Sequence, residues 1–61
     1  MEWFIRRGEC FTCEHKGHYF ELGEMGRGQW LLKHWHNSPR SVWYDVTGPE
    51  DGKAKAEELS Q

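Results

Sequence analysis

Hydrophobic and polar residues alternate along three stretches of this chain. In residues 18–22 (HYFEL), His18, Phe20 and Leu22 fall on one side. In residues 29–36 (QWLLKHWH) the same side carries Trp30, Leu32, His34 and His36. In residues 41–47 (SVWYDVT) it carries Val42, Tyr44 and Val46. A period of two is the mark of a β-strand, whose successive side chains point to opposite faces. Residues 3–7 (WFIRR) are rich in aromatic and β-branched types and predict a further short strand, which Gly8 ends. The glycines of Glu24–Gly28 and the run Asn37-Ser38-Pro39-Arg40 supply turns between strands. Turns this short favour an antiparallel meander of three to four strands.

The alternation divides the side chains between two faces. The first holds the residues named above and is the predicted core side. The second holds Tyr19, Leu31, Trp35 and Trp43, an aromatic set for a face turned to solvent. After residue 47 the composition changes. Gly48-Pro49-Glu50-Asp51-Gly52 breaks the last strand, and residues 53–60 (KAKAEELS) suit a short helix. Its apolar stripe is only Ala56 and Leu59, so the helix either docks weakly or frays. The expected organisation is a β domain over residues 1–47 and an acidic C-terminal helix or flexible tail over 48–61.

A chain of 61 residues is one domain at most, and its core is small. Domains of this size gain only a few kcal/mol from burial and usually add a staple. Cys10 and Cys13 are the two cysteines. A disulfide between them would close a very short loop and remove little entropy from the unfolded chain. Metal binding or thiol redox chemistry remains, and both suit a reducing cytosol. Redox pairs of this spacing normally open a helix within a βαβ unit, whereas a strand follows here, so redox ranks last.

Residues 10–17 (CFTCEHKG) are predicted to form a compact turn. A C-x2-C turn lets two thiolates converge on one tetrahedral ion, and thiolate with imidazole suits zinc. His18 follows as a third ligand, with His15 as the lesser choice. If strand 18–22 pairs with 29–36 around a turn near Met25–Arg27, position i faces 52 − i, and His18 lies opposite His34. The expected site is therefore Cys10, Cys13, His18 and His34, or His36 in place of His34. The expected fold is a small zinc-stabilised β domain. A one-residue slip would send His34 and His36 to the other face.

The segment C-F-T-C-E-H-K-G-H resembles the first part of a retroviral-type zinc knuckle, C-x2-C-x4-H-x4-C. Cys10, Cys13 and His18 match its first three ligands. Phe11 and Gly17 match positions that are often aromatic and glycine in that family. Gly23 stands where the fourth cysteine would fall. The resemblance covers nine residues.

Net charge is −2, divided unevenly. Residues 1–44 hold six basic and five acidic side chains, whereas 45–61 hold two and five. Neither part has the basic surplus that drives non-specific DNA binding. The leading expectation is a non-catalytic module that binds a protein partner through Tyr19, Trp35 and Trp43, with homodimerisation through the same face as a variant. The alternative is single-stranded RNA or DNA binding, with Phe11 stacking on a base and Arg6, Arg7, Lys16 and Arg40 meeting phosphates. A sheet this small offers little room for an enclosed catalytic pocket. The first ten residues suit neither a signal peptide nor a membrane span, and the expected location is the cytoplasm.

Overall fold

The computed structural model describes residues 1–8 and 10–61. Among them lie five strands and one helix: β1 (Phe4–Arg6), β2 (Cys10–His15), β3 (His18–Gly26), β4 (Gln29–His36), β5 (Val42–Val46) and α1 (Pro49–Leu59). The strands form one antiparallel sheet in chain order, each paired with the next. The meander is as expected, with five strands where three to four were predicted. The helix is present and starts at Pro49, four residues before the predicted start. No helix among the described residues is long and apolar enough to cross a membrane.

The extra strand is β2, where the sequence suggested a turn. Residues 10–15 alternate, with Phe11, Cys13 and His15 on one face and Cys10, Thr12 and Glu14 on the other. The chain reverses instead at Lys16-Gly17, both at positive φ (51° and 82°), between the paired residues His15 and His18. Two central residues at positive φ make the hairpin turn whose twist matches that of paired strands. Gly17 flanked by alternating residues is the signal for it.

The β3–β4 turn decides the register. Arg27 and Gly28 occupy its two positive-φ positions (56° and 74°), and a bulge lies between Glu24 and Gly26. The turn falls later than predicted, so His18 faces His36 and Phe20 faces His34. Position i faces 54 − i in place of 52 − i. The shift is even, so every side chain keeps its predicted face.

Helix α1 lies against one face. The core there is Cys13, Phe20, Leu22, Leu32 and Ala56, flanked by Trp3, Phe11, Trp30, Tyr44, Val46 and Leu59. Pro49 takes the first helical position, where its missing N–H costs nothing. The Asp51 carboxylate accepts the Thr47 N–H at 2.9 Å and ties the entry together. Gly52 and Ala56, four residues apart, are the buried helical positions, and Ser60 follows them into the interface at 4% exposure. The contact stripe is made of small residues, so it does not read as an apolar helix face. The helix backbone at Gly52 comes down onto the Leu22 side chain, and the apolar bulk comes from the sheet.

Candidate functional site

The sheet has a face that α1 does not cover. The registers place Phe4 and Arg6 of β1, Thr12 and Glu14 of β2, Tyr19 and Glu21 of β3, Leu31, Lys33 and Trp35 of β4, and Trp43 and Asp45 of β5 on it. Tyr19 and Trp35 are directly opposite one another, with ring centroids 5.5 Å apart and a tilt of 54°. Trp43 is 60% exposed. Its indole N–H donates to the Ser41 hydroxyl at 2.7 Å, and the Lys33 ammonium sits 4.9 Å from its ring centroid. Both contacts orient the ring while leaving much of it open to solvent. The predicted aromatic face is thus assembled from Tyr19, Trp35 and Trp43, with Phe4 added at 58% exposure.

Phe11 does not join this set. It lies on the helix-covered face, 6.4 Å from Trp30 centroid to centroid, with the Lys53 ammonium 4.9 Å from its ring. The reason is its place in β2 opposite Leu22, a core residue. A ring held between Trp30 and Lys53 has little surface left for a base.

Arg6, Glu21 and Tyr19 on the open face are bound to one another. Arg6 and Glu21 approach to 3.5 Å, and the Tyr19 hydroxyl donates to the same carboxylate at 3.3 Å. Partial burial first, and the Glu21 charge second, raise the Tyr19 phenol above its ordinary value. A shallow notch of 410 Å³ opens beside this pair, where Gly23 leaves the surface bare between Cys10, Arg7, Leu31 and Lys33. The notch was not foreseen. Its only sequence signal is a glycine inside a strand pattern.

The expected metal ligands are divided by the sheet. Cys10 and Cys13 are three apart in β2, an odd separation, so their sulfurs leave the strand on opposite sides. Cys10 borders the notch on the open face. Cys13 is 1% exposed in the core, opposite Phe20. Burial is the main cause that pushes its thiol above the ordinary value of 9.0. A thiol so placed is disfavoured as the thiolate a metal needs. The two cysteines therefore do not fit one tetrahedral zinc site in this fold, and β2 would have to become a turn for them to converge. Among the described residues, no three His, Cys, Asp or Glu side chains stand arranged as a metal site.

The histidines do come together. His15, His18, His34 and His36 occupy one end of the helix-side face. His15 pairs with His18 across β2–β3, and His18 with His36 across β3–β4. His18 Nδ1 and His34 Nε2 are 2.8 Å apart. The His36 ring stacks on that of His18 at 3.8 Å and 6°. The His36 Nδ1–H donates to the Gly17 carbonyl at 3.2 Å, and its Nε2 accepts from the Asn37 amide at 3.3 Å. Desolvation first, and the neighbouring imidazoles second, lower the pKa of both His18 and His34 below 6.5.

Comparison of the chain with protein-family models, with curated proteins and with solved structures finds no match in any of the three.

Proposed function

We propose that this chain is a small non-catalytic binding module whose open sheet face docks a protein partner. The observation that carries the reading is that α1 covers one face only, while Tyr19, Trp35 and Trp43 stand together on the other. Tryptophan and tyrosine bring large rigid area at small entropic cost, which is why they anchor interfaces. The notch beside Gly23 offers the partner a place for one inserted side chain.

Charge favours a protein over a nucleic acid. Within the five strands the open face carries Arg6 and Lys33 against Glu14, Glu21 and Asp45. Arg6 is already paired with Glu21. A phosphate backbone needs uncommitted cations, whereas a mixed surface of this kind suits the polar rim of a protein interface.

The test uses three baits for affinity capture: the native chain, Trp35→Ala/Trp43→Ala, and Lys53→Ala on the opposite face. Captured partners are then purified and titrated directly against each bait. The reading expects a partner that binds the native and Lys53→Ala chains alike and loses about thirtyfold or more with the double variant. A concentration-dependent dimer abolished by the same double variant would make that partner a second copy of this chain. Equal affinity for native and double-variant chains would defeat the reading. So would salt-sensitive binding to short RNA or DNA through the same face.

A further inference from the structure

We propose that His18 and His34, joined by His36, form a binding site for a borderline divalent cation of the zinc class, built from imidazole alone. It lies on the helix side of the sheet and does not depend on the partner-binding reading.

All four histidines of the chain gather at one end of one face. His18 Nδ1 and His34 Nε2 point at one another across 2.8 Å, with the rings within 14° of parallel and their centroids 5.1 Å apart. In the metal-free chain one ring donates its N–H to the lone pair of the other. A cation would take that proton's place. The donor ring moves its proton to its other nitrogen, both facing nitrogens then present lone pairs, and a neutral pair releases no proton overall.

The required movement is small. Two nitrogens on one tetrahedral zinc, each about 2.0–2.1 Å from it, stand roughly 3.4 Å apart. The pair must widen by about 0.6 Å, and the rings must tilt so that their lone pairs converge. Both rings are only partly buried, at the end of the sheet. His36 is exposed and is held by two long hydrogen bonds, to the Gly17 carbonyl and the Asn37 amide. Turning it off the face of His18 supplies a third nitrogen, and water completes the shell. Imidazole donors favour borderline ions over magnesium or calcium. Desolvation first, and the neighbouring imidazoles second, favour the neutral form of His18 and His34, which is the ligating form.

The test takes the full chain, freed of metal by chelation, and titrates it with Zn2+, and with Co2+ as a spectroscopic probe. Ring-nitrogen NMR of the native protein is followed alongside. The expected result is one ion per chain, with shifts at His18 Nδ1 and His34 Nε2. His18→Gln and His34→Gln should each weaken binding at least about tenfold. Cys10→Ser and Cys13→Ala should leave it within about twofold, and the Co2+ complex should lack a thiolate charge-transfer band. A thiolate band that disappears in Cys10→Ser would overturn the proposal. So would ring nitrogens that do not move in millimolar Zn2+. Because the NMR arm uses the native chain, a variant that fails to fold does not blunt the test.

Discussion

Gly52 of the helix stands over Leu22 of the sheet so closely that a Cβ built on it would lie 2.3 Å from Leu22 Cδ1 and 2.9 Å from Cδ2. The absence of a side chain sets the distance between α1 and β3. Gly52→Ala should therefore destabilise the protein although alanine is the better helix former. The propensity gain is about 1 kcal/mol. Displacing a fully buried leucine, or lifting the helix, costs about 1–3 kcal/mol. A urea melt should show a net loss of up to about 2 kcal/mol, and a gain in stability would contradict the close packing of Gly52 on Leu22.

Truncation of the core should be far more costly than truncation of the open face. Leu32 is fully buried at the centre of the cluster. Leu32→Ala is expected to cost about 2–5 kcal/mol, most of what a domain this small possesses. Its thermal unfolding should lose cooperativity. Trp43→Ala, at an exposed site, should stay within about 0.5 kcal/mol of the native chain. Circular dichroism melts of the two variants side by side check the contrast.

The two thiols should behave as different species. Cys10 borders an open notch, whereas Cys13 lies in the core with its pKa raised by burial. In folded protein an alkylating reagent should modify Cys10 first. Cys13 should lag by at least about a hundredfold, because it must wait for an opening that costs some 3 kcal/mol. Mass spectrometry of a time course reads this directly. Mild oxidation should produce no Cys10–Cys13 bridge, since the sulfurs leave opposite faces of one strand.

Acid should weaken the metal-free fold through the histidine cluster. His18 and His34 both have folded-state pKa values below 6.5, with desolvation the leading cause. Below about pH 6.5 the unfolded chain therefore takes up more protons than the folded one. Their contribution is fully present above that pH and is lost as the pH falls toward the lower folded values. In the presence of a chelator, Tm should drop between pH 7.5 and 5. The double variant His18→Gln/His34→Gln should show a smaller drop. An equal drop in both proteins would remove these two residues from the effect.

Much of this architecture was legible in the pattern of residues. Alternation alone assigned Phe20, Leu22, Trp30, Leu32, Tyr44 and Val46 to one face and Tyr19, Leu31, Trp35 and Trp43 to the other, and the structure has the same division. The assignment survived a two-residue error in register because side-chain direction repeats every two residues. Local chemistry also marked the turn at Asn37–Arg40.

What the sequence left open depended on distances between elements. A C-x2-C pair reads equally as a metal turn or as a stretch of strand, and pairing of β2 with both β1 and β3 decided for the strand. That choice sent Cys10 and Cys13 to opposite faces. Likewise Gly52 read only as the end of the run that breaks the last strand, and the approach of α1 to Leu22 made it a contact. The meeting of His18 with His34 rests on a register fixed by the Arg27-Gly28 turn and the bulge before it. Side-chain periodicity is a local property carried by each residue in turn. Strand partnership and helix approach are minima of the whole chain's packing, which no short segment contains.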